Sequence, residues 1–125
     1  MGVETMKPTL YAWNFGGARG DALVAVCREN GFALCRVFPS QTGIPLSKLA
    51  DSRPAPGPAV MPFPEEMLLM AGFRDDQVDA LLRGLRETGL APIPLKAVLT
   101  PFNAMWDSVR LHRELTREAQ HFAGK

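Results

Sequence analysis

Apolar residues along the chain fall into four short runs, and between them lie two stretches with helical periodicity and one long stretch broken by proline. The first run, Thr9 to Phe15 (TLYAWNF), is aromatic-rich and stops at Gly16-Gly17, which predicts a strand closed by a loop. From Asp21 to Asn30, Leu23, Val26 and Cys27 share one helical stripe with Val24 beside it, and Asn30-Gly31 supplies a C-terminal stop. Phe32 to Phe38 (FALCRVF) follows as a second short strand bounded by Gly31 and Pro39. These three elements form one βαβ unit.

Seven prolines between Pro39 and Pro64 exclude continuous regular structure there, leaving only Leu46 to Ala50 for a short helical turn. The third run, Glu66 to Phe73 (EMLLMAGF), is almost continuously apolar, the pattern of an inner strand covered on both faces. Arg74 to Thr88 carries Val78, Leu81, Leu82 and Leu85 on one face and ends at Gly89. Ile93 to Leu99 (IPLKAVL) is a fourth strand, and Pro94 near its start argues for an edge position or an irregular entry. Thr100-Pro101 has the form of an N-cap followed by proline at the first helical position, predicting a last helix to about Phe122. Phe102, Met105, Val109, Leu111, Leu115 and Phe122 spread over a broad arc of that helix, enough to cover sheet or meet a second subunit.

The order β-α-β, β-α-β, α predicts an α/β (α+β) protein. Its two βαβ halves would form a ferredoxin-like βαββαβ sandwich, with an antiparallel sheet, both crossover helices on one face and an added C-terminal helix. The alternative is a small parallel α/β sheet. The expected organisation is a single domain over 1–125: a tail at 1–8, the first unit at 9–38, a Pro-rich connection at 39–64, the second unit at 65–100 and the helix at 101–122.

Composition narrows the function classes. Hydrophobic residues make up 46% and charged residues 22%, ordinary globular usage. The net charge of +1, from 14 basic and 13 acidic residues scattered along the chain, offers no field to draw in a phosphate backbone or an anionic membrane, so neither nucleic acid nor membrane is an expected partner. No apolar stretch approaches the roughly 20 residues that span a bilayer, and 1–8 has no secretory character, so a cytoplasmic location is expected. Cys27 and Cys35 are expected as free thiols, packed as small hydrophobes.

The strings EEMLLMAGF (65–73), DALLRGLRETG (79–89) and above all LKAVLTPFNAMW (95–106) resemble the bacterial family known as domain of unknown function 3783. Lys96, Leu99-Thr100-Pro101, Asn103 and Trp106 carry the likeness. Phe102 departs from it, standing where a small polar residue is usual, and Arg74 stands where Ser or Thr would cap the second crossover helix, a loss of about 1 kcal/mol of capping unless Asp75 takes over the role. The resemblance supports the fold and implies a bacterial origin, and it implies nothing about what the activity is.

The candidate site therefore rests on the residues themselves. Lys96 in an apolar strand, with Thr100 and Asn103 at the strand-to-helix corner, Trp106 as an aromatic wall and Arg19 from the Gly-rich turn 16–20, could together line a ligand cleft. That turn lacks both the GK[ST] ending of a phosphate loop and the GxGxxG spacing. His112 and His121 lie too far apart on one helix to share a metal, and the serines have no recognisable partner base. No catalytic residue, metal or cofactor is expected. The reading is a non-catalytic ligand-binding, regulatory or protein-interaction module, associating as a homodimer or with a protein or metabolite partner. The alternative is a small enzyme built around Lys96, Thr100 and Asn103.

Overall fold

The computed structural model describes residues 7–56 and 60–123, with side chains as far as His121. Most of the expected N-terminal tail, and the place of Phe122 on the apolar arc, lie outside these described residues. Strand β1 (Thr9–Trp13) leads through α1 (Gly17–Asn30) to β2 (Ala33–Arg36). Strand β3 (Met67–Ala71) leads through α2 (Asp75–Glu87) to β4 (Leu95–Val98), and α3 (Ser108–Ala123) completes the chain. Two short 3-10 turns, Pro39–Gln41 and Leu46–Asp51, interrupt the Pro-rich connection, the second where a helical turn was expected.

The sheet order is β2-β1-β3-β4, which corrects the ferredoxin-like expectation. Each crossover helix returns the chain to the strand beside the one it left, so β1 and β2 are parallel neighbours, as are β3 and β4. The two units join along one antiparallel seam, β1 against β3, with Tyr11 opposite Leu69 at its centre. The sheet is therefore mixed, neither wholly antiparallel nor wholly parallel. Element order along the chain is the same in all these arrangements, and hydrophobic period identifies an element without saying which neighbour it pairs with.

Side chains alternate along the two central strands and feed two cores. Leu10, Ala12, Leu68 and Met70 face α1 and α2, meeting Leu23, Val26, Leu81 and Leu85. Both crossover helices lie on that face and pack against each other, closely enough that a Cβ on Gly84 would sit 2.7 Å from Val26 Cγ1. Tyr11, Trp13, Met67 and Leu69 face the opposite way, under Leu46, Leu49 and Phe63 of the Pro-rich connection and Leu111 and Leu115 of α3. All five residues of β3 are buried, as its continuous apolar run predicts, and β4 lies at the sheet edge.

The helix ends differ from expectation in instructive ways. The Gly-rich stretch is not a free-standing turn but mostly the first turn of α1, with the Gly20 amide bonded to the Gly16 carbonyl. Gly20 packs against Phe15 and Arg36, and a Cβ there would lie 3.0 Å from the Arg36 guanidinium. At α2 the capping role falls to Gln77, not Asp75: its Oε1 accepts the Arg74 amide at 2.7 Å. Gly89, with φ at 77°, takes the left-handed turn that stops this helix. The last helix begins at Ser108 rather than after Thr100, because residues 101–105 form turns and Asp107 takes the N-terminal position, its Oδ1 accepting the Arg110 amide at 2.9 Å.

Candidate functional site

The corner after β4 is clamped from within. The Thr100 amide donates to Asn103 Oδ1 at 2.9 Å, the Asn103 amide donates back to Thr100 Oγ1 at 3.3 Å, and Asn103 Nδ2 donates to the Val98 carbonyl at 3.0 Å. This has the reciprocal geometry of a capping box without a continuing helix. Asn103 is buried, and its amide is consumed by the turn it closes. Farther along, the Trp106 and Ala104 carbonyls accept the amides of Leu46 and Ser47, anchoring the corner to the Pro-rich connection.

The other expected site residues are engaged elsewhere. Lys96 pairs in register with Leu68 and so lies on the α1–α2 face of the sheet, where its Nζ donates to the Ile93 carbonyl. Partial burial lowers its pKa below the ordinary lysine value. Arg19 grips both oxygens of Glu66, at 2.6 and 2.8 Å, and also donates to the Leu90 carbonyl at 2.9 Å, fastening the start of α1 to the start of β3. Trp106 packs against the opposite core, with the Arg110 guanidinium 4.8 Å above its ring. The corner thus brings Thr100 and Asn103 together, while Lys96 and Trp106 lie toward opposite faces of the sheet.

What the corner presents outward is apolar. Phe102 is 90% exposed and Met105 73%, although both were expected to lie on the covering helix. Beyond them, a groove follows one side of α3. At its N-terminal end a cleft of about 380 Å³ is walled by Met105, Trp106, Asp107, Val109, Arg110 and Arg113. At the other end a cleft of about 440 Å³ lies among Pro94, Leu95, Thr116 and Ala119, with Glu65 and Glu66 in its wall. A shallower cleft shares Arg113 with the first and Thr116 and Gln120 with the second, making the groove continuous.

His112 sits beside this groove, stacked on Phe63 at a 4.0 Å centroid distance, with Nε2 2.9 Å from Glu65 Oε1. That hydrogen bond holds the Glu65 carboxyl below the usual carboxylate range. Sequence reading considers His112 as a metal ligand with His121 and rejects that role. Its tie to Glu65 joins residues 47 positions apart, which no local spacing reveals. Phe102 did carry a signal, as the position that departs from the family pattern. Among the described residues no cluster of three or more His, Cys, Asp or Glu could hold a metal ion, and no helix is long and apolar enough to cross a membrane.

Fold and surface together define a small mixed α/β protein made of two βαβ units joined strand to strand, with Phe102, Met105 and Val109 exposed after β4 and Val60 exposed in the Pro-rich connection. Residues 66–122, which span the second unit and α3, match the family described as domain of unknown function (DUF3783), the family that the 95–106 string resembles. No curated protein and no solved structure matches the chain.

Proposed function

We propose that the protein is a non-catalytic interaction module that docks a partner protein through the corner after β4. The observation that carries this reading is Phe102, 90% exposed in a turn that Thr100 and Asn103 hold rigid. A large apolar side chain on a floppy loop would lose conformational freedom on binding. One held out by a hydrogen-bonded clamp has already lost it, which is how binding anchors gain affinity. The fitting partner presents an apolar pocket for Phe102, with Met105 beside it. Pro94 and Lys96 on the β4 edge discourage strand addition, so side-chain docking is the mode that fits. The reading takes the chain as one domain, since the two cores share a sheet.

The enzyme alternative has less support, because the polar groups it would use, on Lys96, Thr100 and Asn103, are engaged by the chain's own backbone. The test is site-specific photo-crosslinking in producing cells, with a photoreactive phenylalanine analogue at position 102 and, as control, at exposed Arg83 on α2. A discrete protein adduct from position 102 and none from position 83 is the expected result. The same adducts from both positions, or none from 102, would overturn the reading.

A further inference from the structure

Away from α3, a cleft of about 230 Å³ opens at the C-terminal ends of the parallel strands β1 and β2. Its lining is mostly apolar, with Ala12 and Val37 at the strand ends, Phe15 and Pro39 just beyond them, and Phe38 and Met61 in its walls. Asn14 also lines it, but its Nδ2 is spent on the Phe63 and Glu65 carbonyls, both at 2.8 Å. Arg36 is the one charged side chain of the lining, which includes no carboxylate. It pairs in register with Ala12, so it lies on the α1–α2 face of the sheet, and its Nη2 reaches the first turn of α1. Gly20 permits this approach, since a Cβ there would sit 3.0 Å from that nitrogen and 3.1 Å from the Phe15 carbonyl oxygen.

Arg36 has no hydrogen bond or ion pair among the described residues. Asp21, next after Gly20, forms no ion pair with it, and Glu66 is taken up by Arg19. The guanidinium therefore stands without a counter-charge beside a helix start whose first turn holds no acidic residue, where partial positive charge already gathers. Phe38 is 46% exposed, yet its backbone is fixed: its amide donates to Oε1 of the buried Gln41 at 2.9 Å, and Gln41 Nε2 donates to Ser52 Oγ at 2.8 Å. We infer that this cleft binds a small organic carboxylate. Its two oxygens take the paired donors of Arg36, and its apolar body lies against Phe38 and Met61. The volume falls below the roughly 300 Å³ at which drug-sized sites begin, which limits the occupant to a small molecule. An inorganic anion would satisfy Arg36 but leave the apolar walls uncovered. The position agrees with the chemistry, since the space beyond the carboxyl ends of parallel strands is where α/β sheets commonly hold ligands.

The cleft lies at the β2 edge of the sheet, and the corner after β4 lies at the other edge and, because β1 and β3 run antiparallel, at the opposite end. Neither reading therefore depends on the other. Proton–nitrogen correlation spectra of the purified full chain test the inference, with benzoate, phenylacetate and hexanoate each titrated alongside its neutral amide. At least one carboxylate is expected to give saturable shifts centred on 12–20 and 36–39, with a Kd of about 1 mM or tighter, while its amide gives none. R36Q is expected to weaken that binding at least about tenfold, by loss of the hydrogen bonds to a charged group. Because Arg36 is exposed and unpartnered among the described residues, R36Q is expected to keep the melting temperature of the parent. F38A is expected to weaken phenylacetate as well, by removing the wall that its ring covers. No saturable binding by any of the three carboxylates, amides that bind as tightly, shifts centred elsewhere, or R36Q binding like the parent would each overturn the inference.

Discussion

Asn103 is held by three hydrogen bonds that together define the conformation of the corner, and its burial makes each of them count. Asn103→Ala leaves the Thr100 amide and the Val98 carbonyl without their partners, at an expected cost of about 1–3 kcal/mol. Phe102→Ala removes a larger side chain yet touches no core, so its effect is expected within about 0.5 kcal/mol. Thermal or denaturant melts of the two variants separate these roles. A corner that matters for docking gives a second readout: Asn103→Ala lowers the crosslinking yield from position 102, because the anchor is no longer held in place. An unchanged melt for Asn103→Ala would show that the clamp contributes nothing to the fold. The sequence identified Thr100 and Asn103 as a pair but assigned them to a helix start, since the hydrogen-bond pattern of a capping box is local and reads the same whether or not a helix follows.

At the scale of elements, α3 is fixed at its N-terminal end through the sheet. Trp13 at the end of β1 is fully buried, and its indole Nε1 donates to Ser108 Oγ at 3.0 Å, while the Ser108 amide donates to the Thr42 carbonyl at 3.1 Å. One serine therefore ties together a strand, the Pro-rich connection and the last helix. Ser108→Ala keeps the backbone bond and strands the indole N–H in an apolar core, an expected loss of about 1–3 kcal/mol. The measurement is a chemical melt followed by tryptophan fluorescence. Ser108→Cys, with its weak acceptor sulfur, is expected to fall between the two. No difference between Ser108→Ala and the parent would mean that another acceptor replaces the hydroxyl. The long-range Trp13–Ser108 contact was invisible in the sequence, where Trp13 could be placed in a core but not opposite a particular polar atom. The elements themselves were legible. The apolar run at 66–73 gave a doubly covered strand, and Pro94 marked the edge, because burial on two faces and loss of a donor leave local marks.

For the whole molecule, the governing fact is that β1 and β3 supply alternate residues to two cores. Leu10 and Ala12 face α1 and α2 while Tyr11 and Trp13 face α3, and Leu68 and Met70 alternate in the same way with Met67 and Leu69. The seam between the units was not legible, because which strand of one half pairs with which strand of the other depends on contacts between distant elements. Its consequence is cooperativity. Loss of the α3 layer would expose Trp13, Met67 and Leu69 on the very strands that hold the other core in place, so neither layer can leave without loosening its counterpart. Both tryptophans report on the α3 side, whereas far-UV circular dichroism also reports on α1 and α2. The two probes are therefore expected to give coincident denaturation curves with a common midpoint and slope, the behaviour of a two-state domain. A fluorescence transition completed before the helical signal begins to fall would make the connection and α3 a separable unit, with the α1–α2 core persisting without it. Coincidence is the outcome favoured by the shared strands, since the same backbone ladder between β1 and β3 anchors both faces.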